Sequence, residues 1–499
     1  MSAADGRDGR DGRYGWDRDV LALLMAPIEG TTLPEWADEA LDAGLGSIIL
    51  FGYNTPDART AAGLAGSIHE RADQVLVAID EEGGDVTRLQ ADTGSSLPSA
   101  WALGTIDDTS LTARAGEALG DLMAACDMDL ALAPVLDVST DPANPVIGTR
   151  SYGDDPDLVA RHGRAFASGL HAAGLGVTAK HFPGHGATSV DSHTALPRID
   201  LDPDEMRREH LAPFHIAPWL DAVMTAHILV PALGEGPATL SAWSTRLLDE
   251  VAGGGFHGLV ITDALDMAAV STGPGFPEAV VRAVEAGAHL LCLGTSLRRD
   301  AEQLLREAHD AIVGALASGR LRREDVAARA AHTRASIHAL RMRRGVEPRR
   351  DVITAIRALD ELGAAAARRA VSAQHSALGG GPVVLVDARI RADHASGSRS
   401  PHLLTALRER GIDAEWAHYP GDLTTGSEVL VLTRLPRADA EESARLREVL
   451  QARPDAIVVH TGVPDAAPDH RALVRTLGGS LTMMRAAVEL LLAEGRESR

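Results

Sequence analysis

GVTAKHFPGHG, Gly176–Gly186, opens as a short apolar run and ends abruptly on a lysine and a histidine. Pro183 and Gly184 follow at once, so a strand built from the apolar residues has to stop there and the chain has to turn. Seven other runs share this build: LALLMAPI, GSIILFG, QVLVAID and LALAPVLDV before it, AVMTAHI, GLVITDALD and HLLCLGT after it. Each leads into a stretch of Ala, Leu, Arg and Glu with helical character. Continuous rather than alternating apolarity fits strands covered on both faces. Eight such units predict an α/β fold, a (β/α)8 TIM-type barrel. An open doubly wound sheet is the alternative for a βα series.

The residues that close the runs carry more than their number. Asp80 ends the third, Asp137 lies near the end of the fourth, Lys180 and His181 close the fifth, His227 the sixth and Asp263 the seventh. In a barrel the C-terminal ends of the strands converge on one mouth, so these residues are expected around a common pocket. A polar residue at a strand end can also simply mark the exit into solvent. Polar ends on successive strands favour a site.

After residue 345 the pattern changes. An Arg- and Ala-rich helical stretch leads to a GGG break at 379–381, and then PVVLVDA, EVLVLT and AIVVHT alternate with helices such as HLLTALRERG and SARLREVLQA. This predicts a smaller αβα sandwich around a parallel sheet, with the amphipathic helix MMRAAVELLLAEG packed on it. The expected organisation is a disordered leader at 1–18, a catalytic barrel at 19–345, a helical linker at 346–380 and the sandwich at 381–499.

Composition narrows the function. A formal net charge of -22 disfavours phosphate backbones and anionic lipid, so neither nucleic acid nor a membrane surface is expected as a partner. No run approaches the roughly 18 uninterrupted apolar residues of a membrane helix. The first residues alternate charge and glycine where a signal peptide needs a basic patch and an apolar core, which reads as a leader on a cytoplasmic protein. Cys126 and Cys292 lie in apolar, strand-like segments without metal-ligand spacing and are expected as buried, reduced thiols.

Among the 48 basic residues only Lys180 is a lysine. A compact three-donor head on a long stem is not interchangeable with a guanidinium fork, which argues for a specific hydrogen-bonding role at that strand end. A Schiff-base lysine is conceivable but leaves the neighbouring histidines unexplained. His181 and His185 have the i, i+4 spacing of a zinc pair, yet Pro183 and Gly184 rule against the helix that would bring both to one face. The glycines predict instead a loop turning over the barrel mouth. On that loop Asp191 and His193 stand two apart. They can form an acid/base dyad in which the carboxylate fixes the imidazole, or a solvated pair. Asp263, on a rigid strand end, is the candidate nucleophile. Asp266 reads as a helix cap. Asp80 opens a double-glycine turn from which Arg88 returns to the mouth, and Arg150 can fork onto a ligand's polar groups.

With these residues assembled, the chain resembles glycoside hydrolase family 3, in its β-N-acetylhexosaminidase branch. The resemblance spans about 45–345 and rests on IDEEGGDVTRL, APVLDVSTDPANPVIGTRSYG, AKHFPGHGATSVDSH, VMTAHILVPAL with PATLS, GLVITDALDM and AVEAGAHLLCLG, in that order. It implies that Asp263 is the nucleophile of a retaining mechanism, that His193 with Asp191 is the acid/base, and that Asp80, Arg88, Arg150, Lys180 and His181 hold the terminal sugar. It implies a carbohydrate substrate ending in N-acetylglucosamine and neither metal nor organic cofactor. Glu81, Asp85 and Ala264 depart from the usual glutamine, arginine and aspartate of the branch. Because the acid/base is expected on the barrel loop, the C-terminal unit is expected to be largely structural. A phosphorylase using the same site, a barrel that only binds sugar, and a metal-dependent barrel hydrolase are the alternatives.

Overall fold

The computed structural model describes residues 10–11, 15–188, 196–297, 299–345, 348–390, 401–417, 423 and 426–497. Eight parallel strands form the first sheet: β1 (Leu24–Pro27), β2 (Ser47–Leu50), β3 (Leu76–Ile79), β4 (Leu130–Ala131), β5 (Gly176–Phe182), β6 (Ala222–Thr225), β7 (Leu259–Thr262) and β8 (Leu291–Cys292). From β1 to β7 consecutive strands pair with one another, and β8 returns to pair with β1. A bridge between Ile261 and Leu290 and a 2.9 Å bond from the Leu265 N–H to the Cys292 carbonyl close the seam between β7 and β8. The sheet is therefore a barrel, not the open alternative.

The unbroken apolarity of the runs resolves into two populations. Met25, Ile49, Leu76, Ala78, Leu130, Met224, Ile261 and Cys292 gather into one buried cluster, possible for side chains from so many strands only inside the lumen. Their neighbours Leu24, Ile48, Val77, Ala131, Val177, Val223, Val260 and Leu291 belong to the outer layer against the helices. The lumen is thus packed at mid-height, which leaves the strand ends to form the site. Among the surrounding helices are α1 (Thr109–Ala125), α2 (Pro156–Ala172) and α3 (Arg323–Arg344). Ile337 and Leu340 of α3 join the lumen cluster and plug the end opposite the mouth.

Two charge networks pin that closed end. Asp221, at the start of β6, takes His171 at 2.8 Å and the Arg343 guanidinium at 2.7 Å. His69 lies between Asp127 and Asp129, 2.8 Å from each, and Arg341 bonds Asp129. Cys126 departs from the sequence expectation of a strand-like setting: it caps the C-terminus of α1 and its thiol donates to the Ala58 carbonyl. The apolar run that contains it is a helix face passing through the Asp127 turn into β4, which apolarity alone does not separate. Both cysteines are buried, and burial raises both thiols above the ordinary range.

The second sheet comprises β9 (Ser372–Gln374), β10 (Val383–Asp387), β11 (Ala414–Trp416), β12 (Glu428–Thr433), β13 (Ile457–His460) and β14 (Leu473–Arg475), in the order β9-β14-β13-β12-β10-β11. It is parallel except for the edge strand β9, antiparallel to β14, where the sequence predicts a parallel sheet. Ser372–Gln374 is too short and too polar to register as a strand; pairing with β14 makes it one. Helices α4 (Val352–Ala370), α5 (His402–Glu409), α6 (Ala440–Ala452) and α7 (Leu481–Glu497) complete this part of the chain. Helix α4 lies against both α1 and α7, and Gly363 lets it approach the Ser96 carbonyl where a Cβ would collide. Among the described residues no helix is long and apolar enough to cross a membrane.

Candidate functional site

Asp80 directly follows β3, Lys180 and His181 belong to β5, and Asp263 directly follows β7, so three strand ends aim their polar residues at one mouth. A cavity of about 920 Å³ opens there, and Asp80, Arg88, Arg150, Lys180, His181 and Asp263 all line it. Asp191 and His193 lie outside the described residues.

Lys180 is the centre of the charge arrangement. Its Nζ stands 2.6 Å from Asp80 Oδ1 and 2.6 Å from Glu82 Oε1, with only 2% of its side chain exposed. Arg150 grips the same Glu82 with two bonds, Nε at 2.9 Å and Nη2 at 2.8 Å, and donates Nη1 to the Val146 carbonyl. Burial by itself would raise the Glu82 carboxyl, but the Arg150 and Lys180 charges override it and hold the group far below the usual carboxylate range. Burial likewise opposes the charge on Lys180, and Asp80 and Glu82 outweigh it and raise its pKa. Arg88 is 4.0 Å from the second oxygen of Asp80. The result is a fixed lattice of alternating charge.

Sequence reading assigns Glu82 no role, although it stands in the quoted IDEEGG turn. The signal was available only in part: two adjacent glutamates follow Asp80, and they divide the work. Glu81 turns inward, fully buried, and its Oε2 accepts the N–H groups of Arg88 and Leu89 at 2.7 and 2.9 Å. Burial pushes its carboxyl upward. Glu81 therefore shapes the turn that returns Arg88 to the cavity, and Glu82 holds the cations.

Asp137 and His227, placed by their strand positions around the common pocket, sit behind its wall instead. Asp137 is fully buried; Oδ2 meets His181 Nδ1 at 2.7 Å and Oδ1 accepts the N–H of His185 at 2.6 Å. It orients His181 rather than touching a ligand. Burial would raise the Asp137 carboxyl, and the His181 charge and bond hold it below its ordinary value. His227 is fully buried, with Nδ1 on Thr239 Oγ1 and Nε2 donating to the Ala264 carbonyl at 2.8 Å. That bond braces the turn bearing Asp263, whose Oδ1 accepts the Ala264 N–H at 2.8 Å.

The PGHG turn is built tightly. Gly186 approaches the Val138 carbonyl so closely that a Cβ would overlap it, and Asn144 donates to the His185 and Gly186 carbonyls, each at 3.0 Å. His185 lines the cavity with Nδ1 bonded to Thr188 Oγ1, and burial pulls its pKa down to about 4. Its ring is neutral at pH 7. Asp266 does not cap the following helix, as its position suggests. The short helix Ala268–Ser271 starts from Met267, and Asp266 Oδ2 accepts the Thr295 N–H at 3.1 Å. Gly294, with φ +115°, leaves the room Asp266 occupies, a contact between distant segments that capping rules do not see.

The cavity wall is not made by the barrel alone. Arg389, His402, Arg434, Thr461, Gly479 and Ser480 line it as well, so the C-terminal part of the chain, expected to be largely structural, faces the mouth. It is anchored there on the loop that carries Glu82 and Arg88: Gly479 N–H donates to Asp85 Oδ1 at 2.6 Å and Ser99 Oγ donates to the Leu477 carbonyl. Asp85 also accepts the Thr149 hydroxyl.

Among known proteins, a β-hexosaminidase of Tolumonas auensis is 35% identical over 277 residues, covering 54% of this chain and 81% of that one. The β-hexosaminidase A of Pseudoalteromonas piscicida is 33% identical over 315 residues, and the chain matches 52% of its length, about half. A solved glycoside hydrolase family 3 β-N-acetylglucosaminidase from Paenibacillus sp. superposes with a TM-score of 0.82 at 30% identity, over 96% of each chain. NagZ from Neisseria gonorrhoeae, solved with N-trifluoroacetyl-D-glucosamine, superposes at 0.55 with 29% identity, covering 68% of this chain. Residues 24–335 match the glycosyl hydrolase family 3 N-terminal domain, and with that barrel and mouth the chain belongs to glycosyl hydrolase family 3.

Proposed function

We propose that the protein is a retaining exo-β-N-acetylglucosaminidase that removes a terminal, non-reducing β-linked N-acetylglucosamine from cell-wall fragments or chitin oligosaccharides. The observation that carries this reading is the position of Asp263: a carboxylate on a rigid strand end, braced by Ala264, facing the same cavity as the Lys180 lattice and His181. The names of the relatives, β-hexosaminidase and β-N-acetylglucosaminidase, support the substrate class.

In the mechanism Asp80, Arg88, Arg150, Lys180 and His181 hold the terminal sugar through its hydroxyls. The lattice contributes preorganisation, since its donors and acceptors are oriented before substrate arrives. An Asp263 oxygen attacks the anomeric carbon, the glycosidic C–O bond breaks, and the departing oxygen takes a proton from His193. Asp191 keeps that imidazole protonated for this step. Water then gives a proton to His193 and attacks the same carbon, and the bond to Asp263 breaks. Two inversions give net retention.

The test is release of nitrophenol from an aryl N-acetyl-β-glucosaminide, followed by NMR of the first product anomer, with and without phosphate. A β-anomer formed at the same rate in both supports a retaining hydrolase. A sugar 1-phosphate means a phosphorylase, and no release at all means a barrel that only binds sugar.

A further inference from the structure

The side chains that the C-terminal part turns into the cavity come from a particular place in its sheet. The chain runs from β10 to β11 on one side and then to β12 on the other, so the strand order reverses between β10 and β12. In an open α/β sheet the crevice beyond the strand ends at such a reversal is where ligands bind. Arg389 lies just past the end of β10 and Arg434 just past the end of β12, and both line the cavity.

A third element joins them. The 17-residue helix α7 begins at Leu481, directly after Gly479 and Ser480, and its N-terminus carries partial positive charge. Ser480 is 2% exposed, lines the cavity, and its hydroxyl has no hydrogen-bond partner among the described residues. A buried hydroxyl without a partner costs free energy unless a ligand supplies one.

Among the described residues the charge of this wall has one sign. In a chain of net charge -22, the charged side chains that the described residues of this wall present to the cavity are the two arginines. Asp387 pairs with Arg389 through Nε at 2.8 Å and Nη2 at 3.0 Å, and Glu442 accepts the backbone N–H of Arg434; neither acid lines the cavity. The acids of the barrel that line the cavity include Asp85 and Asp92, and Asp85 stands against this wall, where its charge acts on Arg389. Both carboxylate oxygens of Asp85 are engaged, by the Gly479 N–H and the Thr149 hydroxyl.

The geometry points to a leaving-group subsite for a carboxylate-bearing sugar, formed by Arg389, Arg434 and Ser480 and continuous with the cavity that holds Asp263. This rests on the glycosidase reading, because the ligand is the part of the substrate that departs. Guanidinium forks match carboxylate geometry, and the serine hydroxyl donates to the same group.

The experiment titrates the full-length Asp263→Asn protein by calorimetry with two disaccharides, N-acetylglucosamine β-linked to glucuronic acid and the same sugar β-linked to glucose. Tighter binding of the acid by about tenfold is expected, with the preference lost in Arg434→Met and Arg389→Met and kept in Arg434→Lys. Because preference is a ratio within one variant, Arg434→Met tests the subsite without cutting the Arg389–Asp387 pair. Equal affinity, binding of neither sugar, or a preference that survives both methionine variants overturns the subsite. The glycosidase reading is scored separately, by aryl glycoside release from the wild-type protein: release without a preference sinks only the subsite, and a preference without release sinks only the glycosidase.

Discussion

Lys180 Nζ stands 2.6 Å from Asp80 Oδ1 across the barrel mouth, joining the ends of two strands that are not neighbours in the sheet. The amine also reaches Glu82 and is buried, so one small cationic head fills a space bounded by two carboxylates. That volume, not charge alone, gives the residue its identity.

Lys180→Arg therefore keeps the charge and loses the fit. A planar guanidinium cannot present donors to Asp80 and Glu82 from the space of an ammonium without moving one of them. The expected result is a fall in kcat/KM on an aryl N-acetylglucosaminide of about a hundredfold, with the fold intact by circular dichroism. Efficiency within threefold of wild type would leave the solitary lysine without a positional role.

Glu82→Gln removes the anion shared by Lys180 and Arg150 and leaves Asp80 as the carboxylate bonded to Lys180. Breaking a buried pair by deleting one partner costs about 3–5 kcal/mol. Urea denaturation at pH 7 is expected to show a loss of that order, accompanied by a rise in KM. An unchanged midpoint would mean that the lattice relaxes and Glu82 is dispensable.

Asp263→Ala is expected to reduce turnover by about 10⁴-fold or more while sugar binding persists. Azide, small enough for the vacated space, should restore release and yield a glycosyl azide of the opposite anomer. Full activity in the variant would remove Asp263 from the chemistry.

Asp221 links stability to acid. Burial opposes its charge, but His171 and Arg343 lower its carboxyl to about 2. The unfolded chain holds that proton more tightly, so the stabilisation is complete above the ordinary value of 3.8 and is lost as pH falls toward 2. The shift corresponds to about 2 kcal/mol. Denaturation of Asp221→Asn beside wild type should show a gap of that size at pH 6 that closes by pH 2. A gap independent of pH would assign the effect to packing.

Strand identity was legible because both faces of each barrel strand are buried, which writes an unbroken apolar run into the chain, as in LMAP and LVAI. Strand ends were legible for a related reason: Asp80, Lys180 and Asp263 interrupt those runs with groups that only a mouth or solvent can accommodate. The same signal misplaced Asp137 and His227, because a polar strand end can turn behind the wall as readily as into the cavity. Side-chain direction at the last residue of a strand depends on local twist and on partners elsewhere in the chain. For His227 the partner is the Ala264 carbonyl.

By itself the sequence determined the barrel, the second α/β layer and the family, since these follow from periodicity and from motifs whose order survives in one dimension. Which of two adjacent glutamates meets Lys180, and which side chains beyond residue 380 reach the mouth, only the tertiary structure decided. Both depend on where segments far apart in the chain come to rest. Glu82 is selected by Arg150, 68 positions away, and Gly479 is brought to Asp85 across 394. Short-range patterns carry no record of such pairings, because the energy that selects them arises only when burial removes the water that would otherwise satisfy each group.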